Sequence, residues 1–357
     1  MFLFGKKSQL FLGLDIGTSA IKLVELEQGE GRYKLKTYGV YPLVEYFKHI
    51  EEQLWVEPSK LLDGQIAGTV KQLIKEANVQ SKKVCLSIPV YSSFSTLIDL
   101  PPMPEKEISR AIPFEAKKYV PVPISEVVLD WSIIEKSAEQ KPKVEEGRAN
   151  SQGVQILLVA VPKAIIAKYA QIIQLAGLEL KALEAETFSL ARSLVGNDKS
   201  PIVVVDIVAR SSNISIIDKG YIRIIHNLEK GGAELTRNLS QKLNINFEKA
   251  EEMKKIGQDS QLMAREVIYS VLDVIVAEVK KIISHYQIRY SRRIEKCILA
   301  GAGATINGLS DYFSSKLGLE ISLGNPFARV VYPALLEPAI KELGPSLAVA
   351  VGLAMRE

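Results

Sequence analysis

Apolar and polar positions alternate strand-like over three early runs, 10–16, 20–27 and 32–42, with Gly29-Glu-Gly31 between the last two. This pattern predicts a three-strand meander. It recurs far downstream. Phe11-Leu-Gly-Leu-Asp15-Ile-Gly-Thr-Ser-Ala-Ile-Lys22 and Pro201-Ile-Val-Val-Val-Asp206-Ile-Val-Ala-Arg-Ser-Ser-Asn-Ile-Ser-Ile-Ile217 each read as an apolar strand closing on an Asp, a small polar turn and a second apolar strand. A third strand, 221–228, completes the second meander. Two such units predict related half-domains with a cleft between them.

Between the meanders the spacing predicts a helix over 60–77 and strands at 83–89 and 92–100. Pro101-Pro-Met-Pro104 is a hard stop. A helix from about Glu105 to Tyr119 places Ile108, Ile112, Glu115 and Tyr119 on one face, and Pro113 inside it predicts a kink or two short helices. Strand 126–135 leads into 136–153, rich in Lys, Glu, Ser, Gln and Gly, which reads as an exposed loop. Strand 154–161, helix 163–177, strand 179–184 and helix 187–195 follow. After the second meander come helices near 231–243, 247–256 and 261–290, strand 296–300, a short helix, strand 319–323 and helix 344–356. The sum is an α/β fold made of one plan used twice.

Composition narrows the function. The 357 residues are 47% apolar and 24% charged, with formal net charge +4. That charge is small and its residues are scattered, so nucleic acid is not an expected ligand. Cys85 and Cys297 provide neither metal spacing nor a disulfide framework, which fits a reducing compartment. Met1-Phe-Leu-Phe-Gly-Lys-Lys lacks an h-region and is not a secretory signal. No apolar run approaches the roughly 18–20 residues of a membrane span. The expectation is a cytoplasmic protein whose membrane contact comes only through a partner.

The candidate chemistry lies in the turns. Gly17 permits close backbone approach, Thr18 and Ser19 can donate to phosphate oxygens, Lys22 adds a point charge, and Asp15 can hold a hydrated Mg²⁺. Asp-Ile-Gly-Thr is also ordinary hairpin chemistry. Cys297-Ile-Leu-Ala-Gly301-Ala-Gly303-Ala reads as a strand, a small-residue turn and a helix start, which suits a flat base or tight packing alike. His49, His226 and His285 lack metal spacing, and there is no Gly-x-Ser-x-Gly elbow or Walker loop. Tyr38, Tyr41, Tyr46, Phe47 and Trp55 read as a packing cluster.

Five segments in order now carry a resemblance: Leu14 to Lys22, Glu184-Ala-Glu-Thr-Phe-Ser-Leu-Ala-Arg192, Val205 to Asn213, Ala300 to Gly308, and Pro345-Ser-Leu-Ala-Val-Ala-Val-Gly-Leu-Ala354. The order is similar to the duplicated actin/Hsp70/sugar-kinase ATPase fold, which is ribonuclease H-like. The segment from Leu100 to Asp130, with its Tyr119-Val-Pro turn, resembles the FtsA/PilM-type inserted subdomain. The chain as a whole is similar to the PilM family of actin-like type IV pilus assembly proteins. The resemblance implies a first lobe of 1–100 and 178–200 with helix 344–357 packing across, an inserted subdomain of 101–177 and a second lobe of 201–343.

It also implies an ATP-binding cytoplasmic scaffold of the pilus platform, peripheral to the inner membrane. The implied partners are the N-terminal cytoplasmic tail of PilN and other platform and motor proteins. Asp15 and Asp206 would hold Mg²⁺ through water. Glu251 and Lys254, in Glu248-Lys-Ala-Glu-Glu-Met-Lys-Lys, would lie near the base. Gly231 and Gly232 would form a phosphate-side turn, and Gly301, Ala302 and Gly303 the adenosine turn.

One departure matters. The family's second phosphate loop reads Asp-Ile-Gly, but here it is Asp206-Ile-Val208, and a β-branched residue resists positive φ. Arg210 could reach a phosphate instead. No strong general base is evident, and Glu186 is the candidate to orient water, so the expected enzyme is at most a slow ATPase. The alternatives are an FtsA-like filament former and a small-molecule kinase. The first would carry a membrane helix after the last connecting helix, where this chain ends. The second would need polar substrate residues where the first lobe is apolar. The tail is expected in a groove between inserted subdomain and first lobe, lined by Val84 to Ile88 or by Ile112, Phe114 and Tyr119.

Overall fold

The computed structural model describes residues 9–29, 31–43, 63–136 and 153–356. Tyr46, Phe47, His49, Trp55 and the 137–152 stretch of the expected loop lie outside them.

Strands β1 (Leu10–Ile16), β2 (Ala20–Gln28) and β3 (Tyr33–Pro42) form the first antiparallel meander. β4 (Lys83–Ile88) lies parallel to β1, and β8 (Glu179–Ala185) lies parallel to β4. β14 (Val330–Val331), too short to signal in the sequence, completes the order β14-β3-β2-β1-β4-β8. The second sheet repeats the plan. β9 (Ile202–Ile207), β10 (Ser212–Asp218) and β11 (Tyr221–Leu228) make the meander, β12 (Lys296–Ala300) runs parallel to β9 and β13 (Glu320–Leu323) parallel to β12. This is the expected two-lobed α/β architecture.

Side-chain alternation assigns each face of the first sheet its cover. Leu12, Leu14 and Leu23 pack against Val70 and Leu73 of α1 (Asp63–Glu76) and Tyr169 and Ile172 of α3 (Lys163–Leu175). Val24 and Leu26 turn the other way, onto Leu347, Ala350 and Val351 of α9 (Glu337–Ala354). Gly13 is required there, because a Cβ would sit 2.1 Å from the Ala350 carbonyl oxygen. In the second lobe, Ile275 and Val279 of the long helix α7 (Leu262–Tyr290) cover Val203 and Val205. Helices α5 (Gly232–Leu243), α6 (Phe247–Ile256) and α8 (Leu309–Leu317) complete it. Tyr38 and Tyr41 pack on opposite faces of the first sheet, Tyr38 beside the α9 side and Tyr41 beside the α1 side, so they form no single cluster.

A third, antiparallel sheet has the order β5-β7-β6, from β5 (Phe94–Leu100), β7 (Val154–Pro162) and β6 (Val127–Lys136). Helix α2 (Glu105–Ala116) packs Ile108, Ile112 and Ala116 on it. This packed unit takes in β5, ahead of residue 101. It releases α3, whose Tyr169 and Ile172 belong to the first-lobe core rather than to the insertion. Of the kink or two short helices expected at Pro113, the structure has one continuous helix through it, not two. Pro113 and Ser109, four residues before it, both face solvent, so water can satisfy the carbonyl left without an N–H partner. α2 also ends before Tyr119.

Two connecting helices cross between the lobes. α4 (Glu186–Leu190) passes into a π-helical turn, Ala191–Val195, stopped by Gly196 at φ 59. α9 begins seven residues earlier than expected and carries Pro345 internally. They touch where a Cβ on Gly352 would lie 2.0 Å from the Ser189 carbonyl oxygen.

Candidate functional site

The β1–β2 ladder sets Asp15 opposite Lys22, so their side chains share a face and Lys22 Nζ donates to Asp15 Oδ2 at 3.1 Å. From the neighbouring strand β4, Ser87 Oγ donates to Asp15 Oδ1 at 2.8 Å. The β9–β10 ladder sets Asp206 opposite Asn213 in the same way, and Asn213 Nδ2 donates to Asp206 Oδ2 at 3.4 Å. Glu186 enters between them from the first turn of α4, its Oε2 accepting a 3.3 Å bond from the Val90 N–H.

Asp15, Lys22, Glu186, Asp206 and Asn213 line one cleft between the lobes, together with Gly17, Thr18, Ser19, Arg210 and Gly301. Arg210 crosses it, its guanidinium 4.8 Å from the ring centroid of Tyr91. About 30 Å³ of the cleft is open to the centre of a water molecule, room for roughly two or three waters. A ligand as large as a nucleotide would enter only if the lobes parted.

Electrostatics mark this as a charged interior. Burial opposes the Lys22 ammonium, but Asp15, Asp206 and Glu186 outweigh it and raise its pKa. Burial, then Asp15 and Asp206, push Glu186 well above the usual carboxylate range. Burial lifts Asp206 to about 6, with Lys22 and Asn213 pulling against it. The hydroxyl Oγ of Ser211, also lining the cleft, is buried without a hydrogen-bond partner. A ligand carrying acceptor oxygens would satisfy it. No group of three His, Cys, Asp or Glu side chains among the described residues is set to hold a metal ion by itself.

Five expected site residues are turned elsewhere. Gly231 presses the start of α5 onto loop two, where a Cβ would lie 2.4 Å from the Val208 carbonyl oxygen. The Gly232 N–H is spent on that same carbonyl at 2.9 Å. Lys254 Nζ is buried against Glu251 Oε2 at 2.6 Å and Thr236 Oγ1 at 3.0 Å, and burial lowers its pKa. Gly303 packs behind Ile207, where a Cβ would lie 2.4 Å from that side chain. Ala302, a sixth, is exposed outside the cleft. Gly301 does reach the cleft, at φ +79, with its N–H on the Pro345 carbonyl at 2.9 Å. Val208 lines the cleft without entering the left-handed region.

Tyr91, Ser211 and Asn213 line the cleft without having been expected there, and Ser87 stands behind it on Asp15. Asn213 had a signal, since it falls opposite Asp206 in the hairpin register. Tyr91 and Ser87 had none, because only the parallel β1–β4 pairing brings Ser87 to Asp15 and Tyr91 to the cleft.

A second cavity, of about 350 Å³, separates the inserted sheet from the first lobe. Its walls include Ile88, Val128, Leu157, Leu183 and Phe188, with Asp130, Glu184 and Arg356 as polar members. Three consecutive residues of β6 (130–132) and three of β8 (183–185) line it. Val128, Asp130 and Ser132 of β6 alternate along the groove and stand opposite Val161, Val159 and Leu157 of β7, so the inserted sheet presents one face to it, with Trp131 also lining it, and β6 and β8 are the edge strands of their sheets. The lining expected from Val84 to Ile88 is corrected. β4 is paired on both sides, and only Ile88 reaches the groove. Ile112 is in the insertion core, and Phe114 and Tyr119 are exposed away from the groove.

A family model for the type IV pilus assembly protein PilM matches residues 13–357. The cell division protein FtsA of Enterococcus faecalis is 23% identical over 267 residues, 70% of this chain and 58% of that protein, so the chain spans under two thirds of that relative's length. Among solved structures, a chain of the PilM–PilN type IV pilus biogenesis complex superposes with TM-score 0.79 at 26% identity, covering 97% of this chain and 98% of that one. The ethanolamine utilization protein EutJ from Carboxydothermus hydrogenoformans shares the fold, with TM-score 0.58 at 19% identity over 97% and 89% of the two chains. No helix among the described residues is long and apolar enough to cross a membrane.

Proposed function

Because the chain belongs to the PilM family of type IV pilus assembly proteins, we propose that it is a nucleotide-binding scaffold of the pilus assembly platform, taking ATP with Mg²⁺ in the cleft and the N-terminal tail of PilN in the groove. The observation that carries the nucleotide half is the convergence of two acid-bearing hairpins, Lys22 and the partnerless Ser211 hydroxyl on one narrow cleft.

In this reading Lys22, Thr18, Ser19, Ser211 and Arg210 hold phosphate oxygens, and Gly301 admits the adenosine. Glu251, Lys254, Gly231, Gly232, Ala302 and Gly303 would shape the base side from behind, packing and bracing the second lobe around it rather than turning into the cleft. Asp206, and Asp15 behind it, hold Mg²⁺ through water; the bound ion would offset phosphate charge. Glu186 orients water poorly as a base, since burial and two aspartates favour its protonated form. Hydrolysis is accordingly slow.

The groove fits an extended tail. Open strand edges supply main-chain hydrogen bonds, and apolar walls take alternate side chains. Such a tail would hold the protein at the cytoplasmic face of the inner membrane, within reach of other platform and motor proteins. Titration calorimetry with the cognate PilN N-terminal peptide tests this reading. Val128→Asp, which puts a charge at the groove wall, is expected to weaken the peptide at least about tenfold and to leave ATP binding intact. Full peptide binding by that variant would move the tail elsewhere.

A further inference from the structure

A third pocket, of about 180 Å³, opens at the seam between the inserted sheet and the second lobe. Ser95, Thr96 and Leu97 of β5 form one side, Arg223, Ile224 and Ile225 of β11 a second, and His285 and Arg289 of α7 a third. It shares only Leu157 with the groove and no residue with the cleft.

Its lining carries one sign of charge. Arg223 is only 2% exposed, Arg289 stands at the surface, and no Asp or Glu is among the lining residues. Leu97, Leu157, Ile224 and Ile225 are the apolar walls, and such walls concentrate the field of the charges they enclose. Both arginines are held from outside the pocket. Gln155 Oε1 accepts from Arg223 Nη1 at 3.1 Å and from the Tyr290 hydroxyl at 3.2 Å. Gln155 Nε2 donates to Asp99 Oδ1 at 2.7 Å, and Arg289 Nη2 donates to Asp99 Oδ2 at 2.8 Å. This chain of bonds fixes a guanidinium from β11 and one from α7 beside the same space, so a ligand need not order them.

We propose that this pocket binds a phosphate-bearing anion, at a site separate from both the cleft and the groove. The donor set selects phosphate over carboxylate. Two guanidinium forks, the Ser95 and Thr96 hydroxyls and the His285 ring offer more N–H and O–H groups than one planar carboxylate can accept. A phosphate presents three or more oxygens in a tetrahedron, and arginine pairs with them bidentately. The phosphate has two possible sources, a soluble compound or a lipid headgroup. Ile288, 79% exposed, precedes Arg289 and falls with Lys281 and His285 on one face of α7. An apolar side chain among basic ones is the pairing an anionic membrane surface takes up, and the experiment separates the two.

Hydrogen exchange of the full chain is followed while inorganic pyrophosphate is titrated. Protection is expected at 94–98, 222–226 and 284–290, and its concentration dependence gives the affinity of this pocket alone. Arg289→Glu, at an exposed position, should weaken that affinity at least about tenfold and leave binding of a fluorescent ATP analogue unchanged. Asp99→Asn removes the carboxylate that competes for Arg289 and keeps an amide oxygen. It should tighten the anion by about twofold or more, whereas a purely structural pair would weaken it in both variants. Flotation with phosphatidylcholine vesicles, with and without phosphatidylglycerol, identifies the source. Binding only to the anionic vesicles, lost with Arg289→Glu and reduced by Ile288→Ser, assigns the site to a lipid headgroup. Pyrophosphate protection without flotation assigns it to a soluble phosphate. Protection confined to 15–22 and 206–213, protection that Arg289→Glu leaves intact, or no response to either probe overturns the site.

Discussion

Asp15 and Asp206 stand at the same place in two copies of one hairpin, but only Asp15 faces a cation across its ladder. Lys22 and Ser87 occupy both oxygens of the first carboxylate. The second has Asn213 at 3.4 Å and titrates near 6 because it is buried without a full partner. The duplicated backbone thus carries two electrostatic states. One wall is satisfied in the ligand-free protein. The other stores an unfavourable charge that a metal–phosphate ligand would relieve, and that stored cost is a source of affinity.

The contrast breaks most severely at Lys22. Lys22→Met leaves Asp15, Asp206 and Glu186 buried around no ammonium. It should cost about 3–5 kcal/mol of stability at pH 7 and abolish nucleotide binding. The loss should shrink at pH 5, where Asp206, lifted to about 6, takes up a proton; thermal melts at the two pH values decide.

Asp206→Asn sharpens the comparison with the opposite sign. The native carboxyl, at about 6, binds a proton more readily than the unfolded one, whose ordinary value is 3.8. The native protein is therefore penalised at pH 7, and the penalty fades as pH falls through 6 toward 4. The amide should stabilise the ligand-free protein by about 3 kcal/mol at pH 7, with no gain below pH 4, while weakening Mg²⁺-nucleotide. Urea unfolding at both pH values tests it, and equal gains would place the charge elsewhere.

Val208 carries the smallest effect. Its backbone already lies outside the left-handed region, so Val208→Gly should leave nucleotide affinity within about threefold and lower stability by roughly 0.5–1 kcal/mol. A large gain in affinity would show that the valine, not the charge pattern, separates the two walls.

The duplication was legible because its elements are local. Alternating strands, an Asp at each strand end and turn residues between them all lie within about twenty residues. The cation contrast was half legible: Lys22 and Asn213 are both in the hairpins, but their roles need the register. The groove was not legible from the residues. Its walls come from β6, β8 and α4, distant in sequence, and only edge position in a sheet makes them available. The boundary at β5 was obscured by the proline stop at 101, which ends a strand already committed to the insertion. Lys254 looked ligand-directed, and it closes on Glu251 and Thr236 instead.

The open edges of β6 and β8 bear on how the protein must be kept in a cell. Open strand edges pair with whatever strand arrives, including those of other misfolded chains. Both edge strands border the groove. The tail that fills the groove would then serve as a stopper as well as a tether. Copies made in excess of their partner would be the ones drawn into aggregates, so matched synthesis of the pair would protect the scaffold itself.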